Sequence, residues 1–317
     1  MIEICHLSRF YGDFKALDDL STSIGRGEIV GLLGHNGAGK STMMKMLTGY
    51  LEPSAGSITI DGLRMGEDTA AIQRRIGYLP ENCPVWPEMR VVEYLQYQGR
   101  LHGIAADALD AAVARAIRRT ALKEKALQPI QTLSRGYRQR VGVAQAILHD
   151  PEIIILDEPT NGLDPTQIRQ MRTLISDLAQ HATVIVSTHI LQEVQAVCER
   201  VLILSAGRLV VDSTLAALQS DHKLRLQLAH GDASRGDASD YLRAIDGVAS
   251  VTRLDAGAQA TYLLDAAADV APAVAAAVQA HGDQLYALQP VARDLESVFA
   301  EVNQLGETSE SAEVSKQ

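Results

Sequence analysis

Residues 29–47 read IVGLLGHNGAGKSTMMKML, and this stretch decides the fold. Its leading apolar residues predict a buried strand, and the run over residues 41–47 predicts a helix. Between them, residues 34–41 (GHNGAGKS) fit G-x-x-x-x-G-K-[ST] in the strand-to-helix context that the motif requires. Electrostatics explains the residue types. Glycines let backbone N–H groups turn toward one centre, the helix N-terminus adds positive potential, and a lysine neutralises phosphate oxygens. Gly34, His35, Asn36, Gly37, Ala38, Gly39, Lys40, Ser41 and Thr42 are thus candidate ligands of a nucleoside triphosphate, with the Ser41 hydroxyl directed at Mg2+.

Outward from this stretch, short apolar runs alternate with helix-period segments. Residues 28–33, 58–60, 76–79, 153–156, 183–187 and 201–204 read as strands, which implies an α/β domain with a largely parallel sheet covered by helices on both faces. Strand signals stop between Pro84 and Ser134, where helices are expected over residues 91–101 and 106–121; a helical insertion of about residues 84–149 follows. A second module begins near Asp221. Its order is strand (224–228), helix (238–245), strand (248–254), strand (260–264), helix (270–281), strand (284–288), the βαββαβ pattern of a small ferredoxin-like α+β domain ending near residue 304. The segment HGDASRGDASD (230–240) has loop composition. A last helix over residues 295–302 carries an apolar stripe, and residues 305–317 have the polar composition of a disordered tail.

Composition narrows the function classes. At 317 residues and 46% hydrophobic, the chain can build a full core in one large domain or two ordinary ones. Its net charge of −10 argues against a bulk electrostatic grip on nucleic acid or anionic lipid. The acidity is concentrated: residues 221–317 hold seven basic and fifteen acidic side chains. Three scattered cysteines, Cys5, Cys83 and Cys198, fit no disulfide framework or zinc ribbon and are expected to be buried thiols in a reducing compartment. With neither a secretory pattern at the N-terminus nor an apolar run of membrane-spanning length, the expected location is cytoplasmic.

Downstream, IIILDE (153–158) is an apolar strand ending in two carboxylates. Beside a phosphate loop this arrangement places Asp157 at Mg2+ and Glu158 against an attacking water.

The order of these motifs resembles the ATP-binding cassette family, the ATPase subunits of ABC transporters, across residues 1 to about 220. LSRGY (133–137) is similar to the family signature whose common form is L-S-G-G-Q, and NGLD (161–164) resembles the loop that follows the Asp-Glu pair. The resemblance implies that His189 is the switch histidine, that Tyr11 stacks on adenine and that Asp164 lies by the nucleotide. It also implies that Ser134 and Gly136 touch the γ-phosphate of ATP held by a second copy, so that two chains sandwich the nucleotide as a homodimer. This sequence departs from the common pattern at Arg135 and Tyr137 in the signature and at Glu81, where the family usually carries a glutamine that contacts metal and water.

The variants YLPEN (78–82) and LSRGYRQR (133–140), with the short match LESVF (295–299), resemble exporter-type ATPases that work with a separately encoded permease, among them drug, polysaccharide, gliding-motility and copper-processing systems. The implied protein is an ATPase motor, peripheral on the inner face of the membrane through its permease, with no nucleic-acid partner. An importer ATPase and a soluble cassette ATPase without a transport role are the alternatives. A GTPase is disfavoured because no N-K-x-D guanine-reading motif is present.

Overall fold

The computed structural model describes residues 1–219, 222–229, 237–256, 259–266 and 268–292. Two compact units divide the chain, one over Met1–Leu215 and a second beginning at Ala216. The expected helix at 295–302 and the tail at 305–317 lie outside the described residues, as does most of the expected loop at 230–240.

In the first unit the chain runs through β1 (Ile2–Tyr11), β2 (Phe14–Ile24), β3 (Ile29–Leu33), α1 (Lys40–Leu47), β4 (Ala55–Ile60), β5 (Leu63–Arg64), α2 (Thr69–Gln73) and β6 (Ile76–Leu79). Three helices follow: α3 (Val91–Leu101), α4 (Ala106–Arg119) and α5 (Arg135–Ala146). The unit then continues through β7 (Ile153–Asp157), α6 (Pro165–Ala179), β8 (Thr183–Thr188), α7 (Leu191–Val197), β9 (Arg200–Ser205) and β10 (Arg208–Thr214).

A six-stranded sheet has the order β10-β9-β3-β8-β7-β6, parallel except for β10 at its edge. Burial on both faces explains the unbroken apolar runs that betray its central strands. Ile154 and Leu156 of β7 and Val184 and Val186 of β8 pack toward a core built with α3–α6, whereas Ile153, Ile155 and Ile185 face a second core with α1 and the N-terminal strands. The order β3-β8-β7 sets the C-terminal ends of three strands side by side, the edge of an open α/β sheet at which ligands bind.

The six-stranded sheet bears out the largely parallel sheet expected from the sequence, and a second, antiparallel sheet of order β2-β1-β4-β5 adds to it the β1–β2 hairpin, which has no counterpart among the expected strands. Its apolar alternation slips out of phase. Register shifts between Ile4 and Leu7 and again between Leu7 and Arg9 break the period, and His6 and Asp19 take left-handed φ values of 50° and 54°. Cys5 lies on this hairpin and is exposed, contrary to the expectation of three buried thiols. Cys83 is half-buried and Cys198 buried, and burial pushes their thiols up to about 11 and about 12.

After α8 (Leu215–Gln219), the second unit comprises β11 (His222–Ala229), α9 (Ser239–Arg243), β12 (Val248–Ala256), β13 (Gln259–Ala266), α10 (Ala271–Ala280) and β14 (Gln284–Ala292). Its sheet order β12-β13-β11-β14, antiparallel at each pairing, is the ferredoxin-like arrangement expected from the sequence. Leu224, Leu226 and Leu228 alternate along β11 into a core shared with Leu242, Val274 and Val278. No helix among the described residues is long and apolar enough to cross a membrane.

Where α3 and α5 end, His102 and His149 stack with ring centroids 4.1 Å apart, and His149 Nε2 donates to the Ile76 carbonyl at 3.1 Å. Burial, followed by the proximity of His102, holds the His149 imidazole down at about 4. The unfolded chain therefore binds the proton first, so stability contributed above the ordinary histidine value of about 6.5 is lost as pH falls toward 4. Urea unfolding at pH 7 and at pH 4.5 is expected to show a smaller acid loss for His149→Gln, whose amide can still donate to Ile76.

Candidate nucleotide site

The turn after β3 carries the phosphate loop into α1. Gly39, at the α1 N-cap, has φ +104°, and a Cβ there would come within 2.7 Å of the Ala16 carbonyl oxygen, so both backbone and space require glycine. Lys40 is buried: its Nζ donates to the Gly34 carbonyl at 2.6 Å and the His35 carbonyl at 3.2 Å and lies 3.7 Å from Glu158 Oε1.

Glu158 leaves the end of β7 with φ +49°, a left-handed conformation that costs a glutamate roughly 1–2 kcal/mol. The surroundings hold it there: its N–H reaches the Ser187 carbonyl at 3.2 Å and Ser187 Oγ at 3.1 Å, and its carbonyl accepts from Asn161 N–H. The carboxylate is buried and accepts from His189 Nδ1 at 3.0 Å. Lys40, Glu158 and His189, from three different strand ends, are thus joined through one carboxylate.

Asp157 is buried just behind, accepting a hydrogen bond from the Ser187 hydroxyl. A cleft of about 420 Å³ opens in front, lined by Tyr11, Asn36, Gly37, Gly39, Lys40, Ser41, Thr42, Glu81, Glu158 and His189 among the expected residues. Tyr11 is half-exposed at the end of the β1–β2 hairpin, with the Arg9 guanidinium 4.7 Å from its ring centroid. Sequence reasoning missed Phe14, which pairs with Tyr11 across the turn, is 64% exposed and lines the same cleft. The signal was the YGDF turn, which brings two aromatics to one hairpin tip. Glu81 is exposed at the cleft wall.

Other expected residues do not line the cleft. Gly34 and His35 contribute through carbonyls turned to Lys40, and Ala38 is buried under the loop. Asp164 caps α6 instead, its Oδ1 accepting from the Thr166 and Gln167 N–H groups at 2.9 Å each. Ser134 caps α5 and is exposed; Gly136 is buried, and a Cβ on it would meet the Gln167 side chain at 2.6 Å. Arg135 lies over Gly162, with guanidinium carbon 2.5 Å from an ideal Cβ at that glycine. The signature turn and the loop before α6 therefore touch each other within one chain, and Asn161 of that loop also lines the cleft.

Comparison with known proteins fits this geometry. Residues 17–161 match the profile of a family described as ABC transporter. The ABC transporter ATP-binding protein NatA of Bacillus subtilis (strain 168) is 37% identical over 229 residues, spanning 70% of this chain and 93% of that protein. The chain belongs to the ABC transporter family. It is an ATP-binding subunit and an ABC-type ATPase. The bacitracin transport ATP-binding protein BcrA of Bacillus licheniformis is 33% identical over 262 residues, 79% of this cassette chain and 84% of BcrA. A dimeric bacterial ABC transporter cassette, MJ0796, superposes with TM-score 0.63 at 25% identity, covering 68% of this chain and 99% of that one.

Proposed function

We propose that this subunit powers an exporter: two copies close head to tail over ATP, hydrolysis reopens them, and a separately encoded permease turns that motion into transport. The observation that carries the hydrolytic reading is the convergence of Lys40 and His189 on the buried Glu158 carboxylate at the sheet's C-terminal edge. The export direction is supported by relatives named for bacitracin transport and Nod factor export. Nucleotide chemistry is assigned to residues 1–220, with residues 221–304 as an accessory module.

The residues fit a magnesium nucleotide. The cleft joins an aromatic hairpin tip to a phosphate loop, and Asp157 stands beside Glu158 with Ser41 on the cleft wall. Ser41 and Asp157, with Glu81 at the wall, would hold Mg2+, which when bound supplies positive charge to the phosphate oxygens. Lys40 exchanges its carbonyl partners for phosphate oxygens. Glu158 takes the proton of the attacking water, and His189 fixes the orientation of that carboxylate. Exposed Ser134 at the α5 N-terminus meets the γ-phosphate of the second copy's ATP. ATPase assay of the purified subunit with and without its co-expressed permease tests this reading: permease-dependent stimulation is expected, and a rate indifferent to the permease counts against the coupling.

The permease contact is assigned to the segment from Glu81 to Tyr94. Trp86 is 55% exposed and packs edge-on against Tyr97, an apolar aromatic pair close in sequence to the cleft wall. In a Cys5→Ser background, a crosslinker on Glu88→Cys is expected to capture a membrane protein. Capture from His6→Cys on the β1–β2 hairpin and none from position 88 would reject the assignment.

A further inference from the structure

Behind Glu158 and His189 lies a second carboxylate that the ATPase reading leaves unused. Glu193, in the first turn of α7, is buried, and no cation stands within ion-pair distance of it among the described residues. Its Oε2 accepts from two hydroxyls: Thr160 Oγ1, and Thr188 Oγ1 at 2.9 Å. Its Oε1 is buried with no hydrogen-bond partner. Burying a carboxylate in this way is less favourable than burying an apolar side chain of the same volume, and an unsatisfied buried polar atom calls for a reason.

The reason lies in what the two hydroxyls belong to. Thr160 is two residues beyond Glu158, and Thr188 immediately precedes His189. The Thr188 hydroxyl also accepts from Ile190 N–H at 3.1 Å, so the Glu193 contact fixes the backbone on both sides of His189. On the cleft side the same two loops are joined by His189 to Glu158 and by Ser187 to Asp157 and to Glu158 N–H. Glu193 closes the bracket from the rear. Its helix is itself seated on the strand that feeds the phosphate loop: a Cβ at Gly31 of β3 would lie 2.8 Å from Val194 Cγ1 and 3.1 Å from Cys198 Sγ. One short helix therefore touches the supports of all three groups that converge in the cleft.

We propose that Glu193 is a positioning residue for ATP hydrolysis: by accepting from Thr160 and Thr188 together it sets the spacing between the Glu158 carboxylate and the His189 ring. The proposal rests on the reading that these two residues act at the attacking water. It assigns Glu193 an effect on turnover, not on nucleotide affinity, because neither hydroxyl belongs to the cleft lining.

The experiment compares Glu193→Gln, which keeps an acceptor oxygen and offers an amide at the unpartnered position, with Glu193→Met, which keeps the length and loses both acceptors. In the full chain, Glu193→Met is expected to lower kcat by about tenfold or more, the scale on which small misplacements act. Its KM for ATP should stay within roughly twofold, and Glu193→Gln should restore turnover. In a His189→Ala background, Glu193→Met should slow the residual rate by no more than roughly twofold, since residues acting as one unit are non-additive. Thr160→Val and Thr188→Val, each removing one donor, should reproduce the kcat loss and serve in its place should Glu193→Met fail to fold. Wild-type kcat in Glu193→Met or in both threonine variants overturns the proposal. So does a parallel loss of ATP affinity, full additivity with His189→Ala, or a Glu193→Gln protein as slow as Glu193→Met. Should Glu158→Gln and His189→Ala themselves hydrolyse ATP normally, the reading of the site fails first.

Discussion

Glu158→Gln is expected to slow ATP hydrolysis by at least about a hundredfold, the usual contribution of a positioned general base, while magnesium ATP still binds. The backbone at position 158 is held by Ser187 and Asn161 through main-chain atoms, so the left-handed turn survives the substitution. The side chain keeps its volume and an oxygen for His189, but it loses the charge and the capacity to take a proton. In the proposed two-copy cycle chemistry then stops before the sandwich reopens, and the variant is expected to accumulate as an ATP-bound dimer. Adding Ser134→Arg should abolish that dimer, because Ser134 is the exposed cap of α5 and a bulky side chain there obstructs an approaching phosphate. Size-exclusion chromatography with light scattering reads both steps. Hydrolysis at the wild-type rate by Glu158→Gln would remove Glu158 from the role of base.

Those parts of the site that sit on buried parallel strands were legible in the sequence. β3, β7 and β8 are covered on both faces, so they appear as unbroken apolar runs ending in GHNGAGKS, in Asp-Glu and in Ser-Thr-His. The hairpin that presents Tyr11 was not legible as a strand pair, because its bulges desynchronise the apolar alternation, and Phe14 was lost with it. Asp164 is expected beside the nucleotide on resemblance alone; D-P-T-Q is also a helix start with proline at N1, and within the chain Asp164 caps α6. Glu193 left no signal of its own. A glutamate in the first turn of a helix is ordinarily a solvated dipole partner, and only the fold reveals that this one faces inward onto two threonines.

Lys40→Met is expected to abolish nucleotide-dependent function and, separately, to destabilise the fold. The functional loss follows from charge: once the one lysine of the loop is gone, the loop meets the β- and γ-phosphates with backbone dipoles and no side-chain cation of its own. The stability loss follows from the buried ion pair at 3.7 Å, since removing one partner leaves Glu158 uncompensated, at a cost of about 3–5 kcal/mol for a fully buried pair. The His189 contact to the same carboxylate moderates that cost. Lys40→Met combined with Glu158→Gln removes both charges, so its unfolding midpoint should return toward the wild-type value while ATP binding and hydrolysis stay lost. Thermal unfolding and fluorescent-nucleotide titration on the single and double variants separate the two effects. A folded Lys40→Met protein with near-normal ATPase activity would overturn the phosphate-loop assignment. A double variant no more stable than Lys40→Met would show that the lysine stabilises the loop through the Gly34 and His35 carbonyls and not through Glu158.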